Sequence, residues 1–156
     1  IERLENFWDP YHSKLAKLLD RARQQFGYSI LIDTHSMPHE AILNASSSFR
    51  TSQIVLGDRY GATCAPEIIN DLIKLISKNG LRASRNIPFS GAYIVQKYGS
   101  PGLNRHAIQL EIDRSIYMDE RKIQKLEKFH KLKNKLQNIM RDFSQIHTCL
   151  NSIAAE

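Results

Sequence analysis

Apolar residues along this chain recur with two different periods, and the switches between them outline its elements. Leu15, Leu18, Leu19, Ala22 and Phe26 are spaced three and four apart, the stripe of an amphipathic helix. Asp9 and Pro10 suit its N-cap and first turn, and Gly27 its stop. Leu4, Phe7, Trp8 and Tyr11 carry the stripe backwards, so a helix kinked at Pro10 fits equally well. "SILID" (29–33) and "QIVLGD" (53–58) are compact apolar runs and predict strands, while "APEIINDLIKLISKNG" (65–80) predicts a helix with Pro66 near its start and Gly80 past its end. "GAYIVQKYG" (91–99) and "HAIQLEIDRSIY" (106–117) predict further strands, parted by the turn-rich "GSPGLNR". From residue 121 onward, Ile123, Leu126, Phe129, Leu132, Leu136, Ile139, Phe143, Ile146 and Leu150 mark one long amphipathic helix.

Strands alternating with helices predict a single α/β domain over residues 1–156, a sheet with helices packed on its faces. Its 156 residues, 42% of them hydrophobic, suffice for one core. No apolar run is as long as a membrane span requires. Cys64 and Cys149 lie far apart and form no CxxC pair, so neither a disulfide framework nor a cysteine zinc knuckle is expected. Cys64 reads as a small structural residue. The opening "IERLENFWDP" carries acids and a tryptophan where a signal peptide has a basic start and an apolar core. A cytoplasmic protein is the expectation.

The net charge of +6 raises the question of nucleic acid. Much of the excess lies between Arg121 and Arg141, on the face of the long helix opposite its apolar stripe, with no interleaved aromatic groups for base stacking. That pattern is a solvated helix face, not a phosphate reader. The same helix suits pairing with a second copy of the chain.

Several motif searches remove enzyme classes. The sequence contains no GxSxG, no GxxxxGK[ST], no GxGxxG and no HExxH, which leaves nucleophile-elbow, P-loop and dinucleotide chemistry without support. His35 and His39 are four apart, but Pro38 between them opposes one helix presenting both, and His39 reads as a loop residue.

Two polar residues on strand-like segments stand out. In "LIDTHSMP" (31–38) an apolar run leads into Asp33, Thr34, His35 and Ser36 before Pro38, and His35 is expected just beyond the carboxyl end of the strand, where open α/β sheets place ligands. Glu111 projects from "AIQLEID" between Leu110 and Ile112. Each also has a plain structural role available. His35 could be a hydrogen-bonded turn histidine, and Glu111 could be ion-paired with Arg59 or Arg114.

Together "LIDTHSMP", "VLGDRYGATCAPEI", "NIPFSGAYIVQKYG" and "HAIQLEIDRSIYMDE" resemble the N-formylglutamate amidohydrolase family, over residues 8–120. The resemblance implies an α/β fold like that of the zinc peptidases and metallocarboxypeptidases, a mixed sheet with flanking helices, followed here by the long C-terminal amphipathic helix. It implies a zinc-dependent hydrolase that cleaves N-formyl-L-glutamate to formate and L-glutamate. His35, in the D-x-H-S motif, matches a zinc ligand, and Glu111, in Q-L-E, matches the catalytic carboxylate. Asp33 or Ser36 would orient the imidazole, and Arg59 and Arg114 would receive the substrate's carboxylates, with Tyr93 and Tyr117 as weaker candidates. The family's other zinc ligands lie in an earlier His-Ser-Gly segment that residues 1–28 do not resemble, since His12 falls within a helical pattern. The chain is therefore expected to correspond to the C-terminal part of the family domain, with the remaining zinc ligands coming from a segment absent from it. Hydrolysis of another N-formyl or N-acyl amino acid, or a non-catalytic interaction role, stays open alongside.

The charge pattern generates one test. Binding to duplex DNA or RNA should be weaker than micromolar at physiological ionic strength, measured by fluorescence anisotropy. Tight binding that falls steeply with salt would contradict a solvated helix face.

Overall fold

The alternating segment at residues 105–113 becomes the axis of the sheet. This strand, β4 (Arg105–Asp113), pairs parallel with β1 (Ser29–Met37) on one side and antiparallel with β2 (Ile54–Gly57) on the other. A short strand β3 (Ala83–Arg85), which the sequence did not announce, adds parallel to β2 and completes the order β1-β4-β2-β3. The sheet is mixed, with helices flanking it. The computed structural model describes residues 1–153, with side chains through residue 146, so Cys149 and Leu150 lie outside the described side chains.

Successive strand residues point to opposite faces, and the register sorts them sharply. Ile30 and Ile32 of β1, Ile108, Leu110 and Ile112 of β4, and Ile54 and Leu56 of β2 share one face. They pack against Ile68, Ile69, Leu72, Leu75 and Ile76 of α3 (Pro66–Lys78) and against Leu132, Ile139 and Phe143 of α5 (Phe129–Ile153). This is the main core. The apolar stripe of the basic helix is thus occupied by the chain's own sheet and α3, while Lys131 and Lys133 are exposed. The other face carries Asp33, His35, Gln109, Glu111 and Asp113, beside a small cluster of Met37, Ile42 and Val55. Among the described residues no helix is long and apolar enough to cross a membrane.

Four expectations are corrected. The segment 91–99 is not a strand: it contains the helix α4 (Tyr93–Tyr98), whose two buried residues, Val95 and Tyr98, stand three apart. A short apolar run satisfies either period, and here tertiary packing selects the helical one. β1 does not stop at Asp33, because its pairing with β4 continues to Met37↔Asp113 and satisfies the backbone throughout. His35 therefore sits within the strand and not in a turn after it. The long helix begins at Phe129 and not near 121, since residues 118–125 form a hairpin of β5 (Met118–Asp119) and β6 (Gln124–Lys125). Asp119 Oδ1 accepts from the backbone N–H groups of Arg121 and Lys122, and Ile123 adopts a positive φ of 54°, so local turn chemistry overrides the helical spacing. His39 opens a short helix, α2 (His39–Leu43), instead of lying in a loop.

The helix α1 (Asp9–Phe26) is preceded by a π-helical turn, Leu4–Trp8, and capped by Gly27 in the left-handed region. It docks on α4 through a buried His12. Tyr98 donates its hydroxyl hydrogen to the His12 carbonyl at 3.2 Å, so the 2.6 Å contact between the two side chains is donated by His12 Nδ1. The Trp8 ring centroid lies 4.2 Å from the imidazole.

Burial, helped by Lys97 and opposed by Asp9, lowers the His12 pKa below its ordinary value. The unfolded chain takes up this proton as pH falls through about 6.5 while the folded chain still resists it, so the contribution is fully present above that pH and is lost below it. The melting temperature should drop between about pH 7 and pH 5, and His12→Gln should flatten that slope. An unchanged slope in the variant would contradict the assignment.

Candidate active site

His35 and Glu111 are register partners on adjacent strands, so their side chains rise from the same face at the spacing of neighbouring strands, roughly 4.8 Å. The His35 side chain is 45% exposed, and its Nε2 lies 3.0 Å from Asp33 Oδ2, two residues earlier on the same strand face. The angle falls outside hydrogen-bonding geometry, and Oδ2 is buried with no hydrogen-bond partner. With Nε2 turned to Asp33, the imidazole's Nδ1 is left for a ligand.

Glu111 is 7% exposed. Its Oε1 accepts from Gln109 Nε2 at 2.9 Å, and its Oε2 is buried without a hydrogen-bond partner. Neither arginine considered for an ion pair with it holds it. Arg59 donates from Nη1 to the Gly91 carbonyl, and Arg114 donates from Nε and Nη2 to the Oγ and carbonyl of Ser36. Ser36 belongs to the opposite strand face and is engaged there by Arg114, while Asp33 is the residue brought to the imidazole. Tyr93 is half exposed and accepts from Lys97, and Tyr117 packs edge-on to Phe129. A lone buried carboxylate oxygen beside an exposed imidazole is a polar arrangement that packing alone does not account for.

Three features were not singled out from the sequence. Gln109 is buried between Glu111 and the Ala92 backbone, and the strict alternation of "AIQLEID" was the available signal that it shares Glu111's face. Asp113, next along that face, pairs with His39 Nδ1 at 2.9 Å and caps Ser115 N–H. Asp58, fully buried at the end of β2, is held by the Arg85 guanidinium and by Asn86 Nδ2 at 2.7 Å. Hydrogen bonding to that carboxylate raises the Arg85 pKa. Cys64, fully buried, has its thiol pushed up to about 12 chiefly by burial, so it is inert as a nucleophile.

A catalytic zinc takes three protein ligands and keeps one open position. Among the described residues no group of three or more His, Cys, Asp or Glu is gathered to hold a metal. The donor set fits one corner of such a site: a nitrogen ligand with a carboxylate behind it, and a second, unpartnered carboxylate oxygen beside it. A cleft of about 370 Å³ lined by Ile112, Leu136 and Met140 lies under α5, on the face away from His35.

A family model described as N-formylglutamate amidohydrolase matches residues 1–118. The chain is 37% identical over 122 residues to an N-formylglutamate deformylase of Pseudomonas putida and 34% identical to one of Pseudomonas aeruginosa, in both cases over 75% of this chain. It spans 43% and 44% of the length of these curated relatives. The crystal structure of the N-formylglutamate amidohydrolase from Ralstonia eutropha JMP134 superposes with a TM-score of 0.82 at 31% identity, covering 92% of this chain and 52% of that one. In sequence and in overall fold alike, the chain belongs to the N-formylglutamate amidohydrolase family.

Proposed function

We propose that this protein is a zinc-dependent amidohydrolase that cleaves the formamide of N-formyl-L-glutamate to formate and L-glutamate. The observation that carries the reading is the buried, unpartnered Oε2 of Glu111 standing in register beside the exposed His35. The relatives' names support the substrate, and a zinc-peptidase-like architecture and a cytoplasmic location go with the same reading.

His35 would hold the metal through Nδ1, with Asp33 Oδ2 lying 3.0 Å from Nε2, where a small rotation of the ring would complete the hydrogen bond that orients a metal-binding imidazole. Zinc, when bound, supplies Lewis acidity toward water and the formyl carbonyl. Glu111 takes the proton of the attacking water at Oε2 and returns it to the departing amine nitrogen. A C–O bond forms and the C–N bond breaks, and the second proton of the water, released as the formic acid ionises, goes to the freed amine, so the products are formate and the ammonium form of L-glutamate. Burial of Glu111 keeps bulk water from competing for that proton. The substrate brings two carboxylates, for which a guanidinium fork is the natural receptor. Arg59 spends one donor on the Gly91 carbonyl, which anchors the side chain and leaves its remaining N–H groups for an anion, whereas Arg114, tied to Ser36 on the opposite strand face, would have to reach round the strand end to do the same.

The roles of His35 and Glu111 separate by measurement in a chain that includes the remaining zinc ligands, since His35 alone should hold zinc only weakly. His35→Ala should lose zinc and formate release together. Glu111→Gln should retain zinc and melt normally, with turnover down roughly 10²–10⁴-fold. Bound zinc, melting temperature and turnover are read on the same samples. Near-normal turnover in Glu111→Gln would remove the proton-transfer role.

A further inference from the structure

We infer that Gln109 is the positioning residue of this site: it holds Glu111 Oε1 so that Oε2 alone is free to exchange the proton. This rests on the amidohydrolase reading above and adds a residue to it.

Two glycines fix the segment that orients Gln109. A Cβ on Gly57 would lie 2.5 Å from Gly91 N and 2.7 Å from the Ser90 carbonyl carbon, so only glycine lets the 90–92 segment lie directly on β2. Gly91 itself has a φ of +109°, and a Cβ there would fall 2.6 Å from Val95 Cγ2. Arg59 then fastens the segment twice, its backbone N–H to the Ser90 carbonyl at 2.7 Å and its Nη1 to the Gly91 carbonyl at 3.2 Å. Gly57 is the register partner of Gln109. The clamped segment therefore delivers the Ala92 N–H onto the Gln109 amide, where Oε1 accepts it at 2.7 Å.

That contact decides which way the amide faces. A backbone N–H can only donate, so Oε1 must face Ala92 and Nε2 must face Glu111. Flipping the amide would set two donors together at Ala92 and two acceptors together at Glu111. Nε2 in turn can only donate, which requires a lone pair on Glu111 Oε1 and leaves any proton on this carboxyl to Oε2. Gln109 is 4% exposed, so no water competes for either bond. Both ends of the amide are committed, and the carboxylate plane is set by a connection running back through Ala92 to the β2 glycine.

The alternative is that Gln109 only satisfies the Ala92 N–H. A cycle of Gln109→Met, Glu111→Gln and the double variant, in a zinc-loaded chain that includes the remaining metal ligands and with N-formyl-L-glutamate as substrate, distinguishes the two. Positioning through Glu111 predicts that Gln109→Met lowers kcat about 10²-fold with KM within about twofold, and that the double variant is no slower than Glu111→Gln alone, since the two residues act as one unit. Gln109→Asn, which keeps the amide but cannot span both partners, should show the same pattern and covers the case in which the methionine variant folds poorly. Equal slowing in both backgrounds, a change in KM alone, or full activity in Gln109→Met overturns the inference. If Glu111→Gln turns over near normally, it is the deformylase reading that fails. The Gln109 tie is then judged by the side-chain amide signals of the 15N-labelled chain: slow solvent exchange that is lost in Glu111→Leu supports it, and free exchange in the unsubstituted chain overturns it.

Discussion

Nine consecutive register pairs join β1 to β4, from Ser29↔Arg105 to Met37↔Asp113, and everything the protein offers chemically depends on that register. Because side chains alternate with a period of two, a slip of one residue would carry His35 to the opposite face from Glu111. The slip is opposed from the core side. Ile30, Ile32, Ile108, Leu110 and Ile112 all share the face covered by α3 and α5, and a slip would set an isoleucine pair against solvent and bring Asp33 or His35 under the helices. Burying an unpaired charge costs far more than a lost methylene contact. The apolar face thus holds the polar face in alignment.

The polar face departs from ordinary packing. Buried carboxylates usually find partners, and Asp58 and Asp113 do, in Arg85 with Asn86 and in His39 with Ser115. Glu111 keeps one oxygen without a partner, and so does Asp33. Both unpartnered oxygens flank His35 or stand beside it in register. Two saturated carboxylates and two unsaturated ones on a single small sheet separate scaffold from chemistry without reference to any relative.

Much of this was legible in the sequence where one physical rule acted alone. The 3.6-residue stripe of α3 has no competitor over thirteen residues, and β4 alternates strictly from Ile108 to Asp113. Legibility failed where two rules competed. Tyr93–Tyr98 is too short for period to decide, and its helicity comes from docking Tyr98 on His12, a contact 86 residues away in sequence. Thr34, His35 and Ser36 resemble a turn because polar residues usually end strands, yet β4 offers them a backbone partner through Met37↔Asp113. The 118–125 hairpin carries helical spacing by coincidence, and Asp119 with the positive φ of Ile123 overrides it. Gln109 has no motif of its own, and its role follows only from the clamp of Gly57 and Gly91 over the sheet.

The central claim is that His35 Nδ1 and Glu111 Oε2 face one metal-centred reaction. Anomalous scattering at the zinc edge from crystals, grown with zinc, of a chain that includes the remaining metal ligands tests it directly. The account predicts a peak about 2.0–2.1 Å from His35 Nδ1, on the strand face that carries Glu111. Zinc bound firmly elsewhere, with His35 untouched, would contradict it.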